Sequence, residues 1–387
     1  MLNLSRNPYY VKTPINNSLS YVEFRLFFSL DSTTMPASPN FIFNKTAVGS
    51  DPFCVFEFSD LIHDQLLNTK QFSGYLKQGL FVNFSYIGYD ENDTVLFTVA
   101  QLTNPLLFSN GYDIFEAGIN PTFNSIVSMS NDTLRVQQGE QYSISLTNLE
   151  GSSAVTVNYK NANGDVVLTR IFNGTGSAKD VHQYSTYNLS ITPRDFQADV
   201  EAAANTFWIG SPTYNEYYDC LVNEDNIATK IEISQSGVVI KTIEVENINE
   251  QKYPVYKINF INRYGALQNI FCFGKNKKSL KVKRKQFKRN LYNRFANNYN
   301  QNLHQYQTFD IQGREGVTLN TGYVNEQTNQ AFEELLVSEY IWIENDGETQ
   351  TALIKDTSIN YKTHLNDKLI NYTFNFDIAN DLINKVY

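Results

Sequence analysis

The chain has 387 residues, 42% of them hydrophobic and 14% aromatic, with 18% charged side chains and a formal net charge of −9. That content suffices for packed cores and excludes wholesale disorder, while the length asks for two or three domains. The charge is unevenly divided: residues 251–309 contain no Asp or Glu and hold 13 of the 31 Lys and Arg, leaving 18 basic side chains against all 40 acidic ones elsewhere.

The first third reads as strands. In residues 21–30, Val22, Phe24, Leu26, Phe28 and Leu30 share one face by alternation. Residues 41–43 and 53–58 are further strands, the former preceded by Pro36 and Pro39. Ser59 then caps a short helix with Leu61, Ile62 and Leu66 on its apolar side. Residues 80–89 and 94–102 form a hairpin across Asp90-Glu91-Asn92-Asp93. Residues 120–131, rich in Asn, Ser and Pro, read as a linker.

Beyond it, strands at 141–149, 154–160, 165–172 and 184–191 follow at short intervals, with Asn163-Gly164 as a type I′ hairpin signal. This spacing predicts an immunoglobulin-like β-sandwich over residues 131–195. Residues 195–205 have helical propensity. Residues 230–234 and 238–245 make a hairpin around Gln235-Ser236-Gly237. Strands at 256–262 and 268–273 continue the sheet, paired across Arg263-Tyr264-Gly265. A helix at 328–337 and strands at 339–344, 351–355 and 370–377 complete the chain. The expected class is mainly β: two to three sandwich- or barrel-like domains with a few short helices. They divide as an N-terminal domain over 1–130, the sandwich over 131–195 and a C-terminal domain over 196–387.

The basic segment carries the candidate site: Lys275, Lys277, Lys278, Lys281, Lys283, Arg284, Lys285, Lys288 and Arg289. Alternation over 280–287 puts Lys281, Lys283 and Lys285 on one strand face, with Leu280 and Val282 expected to anchor the other in a core. Clustered like charge implies a negative partner. Tyr292, Phe295, Tyr299 and Tyr306 could stack bases, but no nucleic-acid motif surrounds them and the sequence pI is about 5.1. An acidic face of another protein copy is the preferred partner over nucleic acid.

Enzyme signatures are missing: there is no P-loop, G-x-S-x-G or H-E-x-x-H, and His63, His182, His304 and His364 are scattered. Cys54, Cys220 and Cys272 lack metal spacing, and the apolar runs around Cys54 and Cys272 mark them as core thiols. No catalytic, cofactor or metal residue is expected, nor a disulfide. No apolar run is long enough to span a membrane and the start lacks a signal-peptide core, so a soluble protein made in a reducing cytoplasm is expected.

The run Phe260-Ile261-Asn262-Arg263-Tyr264-Gly265-Ala266, its aromatic strand to Phe273, and the Lys278-Ser279-Leu280 basic strand resemble a recurrent sequence. It occurs in virion proteins of tailed bacteriophages that infect Bacteroidota. The order of residues 21–30, Pro36, Pro39 and 56–62 resembles the start of such proteins, and residues 361–380 the end of related tail proteins. The resemblance implies a structural virion role, with no catalytic residue carried over; the preferred reading is a tail or baseplate component, and the asymmetric charge suits a symmetric head-to-tail ring of copies contacting other tail proteins. Two rivals remain: an adhesin module gripping host-surface glycan, and a tail-associated glycan depolymerase.

Overall fold

The computed structural model describes residues 2–382 apart from 15–17, 30–34, 49–52, 68–75, 78, 101–104, 124, 126, 128, 138–141, 143, 147–154, 173–186, 192–227, 294, 296–297, 300–301 and 361–369. The expected helix at 195–205 lies outside the described residues. The protein is mainly β, and its two α-helices among the described residues are Ser59–Leu67 and Asn329–Val337. The sheets are open and sandwich-like. None of those described closes into a barrel. The chain divides into two compact units: Met1–Ile248 with Ile261–Asn269, and Asn249–Phe260 with Ile270–Tyr387.

The first unit holds a seven-stranded sheet. Its order is Thr122–Phe123, Leu2–Leu4, Leu106–Ser109, Gly79–Tyr89, Tyr21–Ser29 and Phe41–Thr46, with Val95–Val99 also paired to Gly79–Tyr89. The alternation of Tyr21–Ser29 is realised: Val22, Phe24, Leu26 and Phe28 are buried. They meet Phe56, Phe58, and Ile62 and Leu66 of the helix in one cluster. Burying each such side chain contributes about 1.5–3 kcal/mol. The expected linker is instead packed: Thr122–Phe123 pairs with the first strand, and Val127 and Met129 are buried. Asn120 accepts from the Tyr10 N–H (2.7 Å) and donates to its carbonyl (2.9 Å). Polar composition suggested a linker, but here the polar side chains satisfy backbone that would otherwise face water.

A second sheet of this unit has the order Thr133–Gln137, Val238–Ile248, Lys230–Gln235, Val155–Lys160, Val166–Phe172. Its first pair is parallel and the rest antiparallel. Strands from 230–248 thus share a sheet with strands of the expected sandwich, and a core of Val155, Val157, Tyr159, Ile231, Ile233, Ile243 and Val245 is buried in it. A three-stranded sheet joins Ile144–Leu146, Tyr187–Ile191 and Leu76–Lys77.

The turns follow two designs. Ser236-Gly237 and Asp346-Gly347 are two-residue hairpins with both residues at positive φ, the mirror-image geometry that matches strand twist. Three longer loops begin with Asp90, Asn161 and Asn262. In each, the Oδ1 of that first residue accepts two backbone N–H groups, from Asn92 and Thr94, from Asn163 and Asp165, and from Tyr264 and Ala266, at 2.8–3.0 Å. The fourth residue of each (Asp93, Gly164, Gly265) is left-handed. The Asn163-Gly164 hairpin is therefore not type I′: only Gly164 has positive φ (+87), because the Asn161 side chain stabilises a longer loop.

The second unit is built on a seven-stranded sheet. Its order is Leu267–Cys272, Tyr256–Ile261, Ile341–Asn345, Glu348–Ile354, Ile370–Asp381, Tyr306–Val324 and Lys277–Lys288. Strands 256–261 and 267–272 thus continue this sheet, not the one that holds 230–248. The helix Asn329–Val337 lays Ala331, Phe332 and Leu335 on Ile258, Phe260, Leu319, Phe374 and Phe376 in one buried cluster. Cys272 is fully buried there, as its apolar run implied, and burial pushes its thiol up to about 12. Cys54 is buried in the first unit.

Candidate interaction surface

The basic strand Lys277–Lys288 is the last strand of its sheet. It pairs on one side with Tyr306–Val324, from Lys277↔Thr318 to Lys288↔Tyr306, with one register shift after Lys285. Along its other edge no described strand pairs with it. The long strand meets Ile370–Asp381 only between Arg314 and Val324. Before Arg314 it pairs with the basic strand alone, so the two leave the sheet as a two-stranded ribbon. A small hairpin, Tyr292–Asn293 with Asn298–Tyr299, lies between them in the chain.

All twelve residues of the basic strand are exposed. Leu280 and Val282 keep 53% and 45% of their surface in water. The expectation that they anchor a core is wrong, and the cause is position. An edge strand that runs beyond its sheet has no second layer for its apolar face. They stand opposite Glu315 and Gly313, and a Cβ on Gly313 would lie 3.5 Å from Leu382, itself exposed. Ile311 (opposite Arg284), Phe287 and Phe309 are exposed as well, the two rings 6.1 Å apart.

On the other face, two of the three aligned lysines meet acids of the same chain. Lys281 Nζ is 3.3 Å from Asp377, which Lys355 also reaches at 3.2 Å, and Lys285 is 3.3 Å from Asp310. Burial opposes ionisation of Asp377, but the hydrogen bonds from Lys355 and Lys281 outweigh it and hold the carboxyl below its ordinary range. Lys283, between the two pairs, has no ion pair with a described residue. Lys275, Lys277, Lys278 and Arg284 are exposed, and Lys288 Nζ lies 5.9 Å from the centre of the Tyr306 ring. Arg289 is half-buried, its N–H donating to the Gln305 carbonyl at 2.8 Å. The candidate residues thus lie along one edge strand and its two ends, Lys277 and Lys278 where it still borders the sheet and Lys281 to Arg289 on the ribbon, and among the described residues their charge is unpaired at 275–278, 283–284 and 288–289.

Sequence reasoning missed a groove in the first unit. It is a cavity of about 460 Å³ lined by Tyr10, Phe24, Phe43, Asn44, Lys45, Val55, Phe56, Glu57 and Phe58. Phe24 and Phe56 stack in its wall at 4.7 Å. Its two charged groups are engaged: Lys45 Nζ donates to the Val55 carbonyl at 2.6 Å, and Glu57 accepts from the N–H groups of Tyr9 and Ser59. The signal was the clustered aromatics of residues 53–58, which read equally well as core.

His63 Nδ1 lies 3.5 Å from Ser5 Oγ and His304 is exposed; His182 and His364 lie outside the described residues. Among the described residues no group of three or more His, Cys, Asp and Glu could hold a metal ion, and no helix is long and apolar enough to cross a membrane. No protein-family model and no curated protein matches the chain.

Proposed function

We propose that this chain is a structural component of a bacteriophage tail or baseplate, held in a multi-copy assembly through the ribbon of its second unit. One observation carries the assembly part of the reading: a twelve-residue edge strand exposed over its whole length. Lysines on a bare edge deter unwanted strand pairing, and that alone explains their presence. It does not explain Leu280, Val282, Phe287, Phe309, Ile311 and Leu382, whose exposure on one ribbon forfeits hydrophobic stabilisation unless a partner covers them. A partner that is also acidic complements the lysines, and the rest of this chain, with 18 basic against 40 acidic side chains, supplies one. Such a two-sided charge distribution suits a head-to-tail ring. The virion assignment rests on the resemblance, in the same order along the chain, of residues 21–62, 260–280 and 361–380 to virion proteins of tailed bacteriophages.

Replacing Lys277, Lys278 and Lys283 by Glu should abolish self-association in sedimentation velocity and leave the melting temperature unchanged, since none of the three is buried. Undiminished assembly in that variant would overturn the docking role. Mass spectrometry of purified virions tests the location: a small fixed copy number supports an axial ring, and absence from the particle ends the virion reading. The adhesin alternative has its place in the groove of the first unit, where the half-buried Tyr10 and Phe43 lie beside Asn44 and Glu57 and suit a sugar face. Binding of host-surface glycan lost in Phe43→Ala, with the melting temperature kept, would favour it.

A further inference from the structure

We infer that a cavity on the ribbon, built around Arg289, receives a carboxylate side chain from a neighbouring copy of the chain. This rests on the assembly reading above and names the contact that would orient it. The cavity has a volume of about 290 Å³ and is lined by Arg289, Leu303, His304, Tyr306, Gln307 and Thr308. Among the described residues its lining contains no Asp or Glu, and the surrounding sequence has none from 251 to 309. The nearest acid along the strand, Asp310, faces Lys285.

Arg289 Nε is buried and has no hydrogen-bond partner among the described residues. A charged donor withdrawn from water without an acceptor is destabilising, so an unfilled Nε–H marks a place where an acceptor belongs. The guanidinium presents its donors as a planar fork that matches the two oxygens of a carboxylate. Around it, the Gln307 amide, the Thr308 hydroxyl and the His304 ring offer further donors. Thr308 Oγ1 accepts from Gln286 Nε2 at 3.2 Å, which leaves its own hydrogen to donate.

Phosphate shares this chemistry, but a polyanion would need a continuous cationic track. Here Lys281 and Lys285 are already neutralised by Asp377 and Asp310. What is left between them and Arg289 is interrupted by exposed apolar side chains, which a protein face covers and a phosphate backbone does not.

The test uses the full chain with a fluorescent hexaglutamate peptide as probe, and inorganic phosphate and a single-stranded oligonucleotide of equal charge as competitors. Wild type should bind the peptide, Arg289→Gln about tenfold more weakly, and Arg289→Lys between them, because a lysine keeps the charge and loses the fork. Arg289→Gln should also weaken self-association without lowering the melting temperature. Equal peptide binding by wild type and Arg289→Gln, or no binding by wild type, overturns the inference. So does displacement by the oligonucleotide well below the peptide's own concentration. If Arg289→Gln assembles normally while the Lys277, Lys278 and Lys283 variant does not, the cavity falls and the ribbon's docking role stands.

Discussion

Asn262 shows how one side chain sets a local path. Its Oδ1 accepts from Tyr264 and Ala266, its Nδ2 donates to Gln268 Oε1 at 3.0 Å, and it is 1% exposed. Asn262→Ala should cost about 2–3 kcal/mol by chemical denaturation, because buried N–H groups lose their acceptor. The same change at Asn161, in an exposed loop, should cost about 0.5–1 kcal/mol, since water replaces the lost oxygen. Asp377 gives a pH dependence. Its folded value lies below the ordinary 3.8, so the ionised form adds stability above about pH 4 that is lost as the pH falls through the lowered value. Melting temperatures measured from neutral pH down to about pH 2 should show that acid limb in wild type and a flatter one in Asp377→Asn. Cys54 and Cys272 should react with a maleimide only after unfolding, as both are buried and the Cys272 thiol is pushed up to about 12.

At the scale of elements, local chemistry was legible wherever a pattern had one physical meaning. The alternation of residues 21–29, the Ser59 helix, the Ser236-Gly237 hairpin and the helix near 329–337 all stand where periodicity and turn residues put them. The Asn163-Gly164 turn shows the limit. The dipeptide suits a two-residue turn, but Asn161 two positions earlier offers an acceptor that a longer loop uses. Gly164→Val should still destabilise by about 1–3 kcal/mol, since φ is +87 with open space around it, and an unchanged melting temperature would contradict that geometry. The basic strand shows another limit. Alternation said correctly that its lysines share a face, yet whether Leu280 and Val282 meet a core depends on what lies over the strand. Nothing in a strand's own sequence reports its neighbours' length, and here the adjoining Ile370–Asp381 strand stops pairing at Arg314.

At the scale of the molecule, the mainly β class was legible from composition, whereas long-range order was not. The pairing of Thr133–Gln137 with Val238–Ile248 joins segments about a hundred residues apart, and no local signal encodes it. The division of the chain has a consequence for its synthesis. Leaving the first unit at Ile248, the chain returns for Ile261–Asn269 before continuing into the second. That returning piece carries Tyr264, stacked on Phe123 at 4.3 Å, and Arg263, ion-paired with Asp113. A ribosome adding about 5–20 residues per second therefore holds the first unit incomplete for on the order of one to four seconds after Ile248 is made. During that interval Phe123 and Asp113 await partners still being translated. A chain released at Ile248 should accordingly bind a hydrophobic dye and melt lower than one released at Asn269, so the nascent protein matures by the late arrival of a short segment, not by finishing one unit before starting the next.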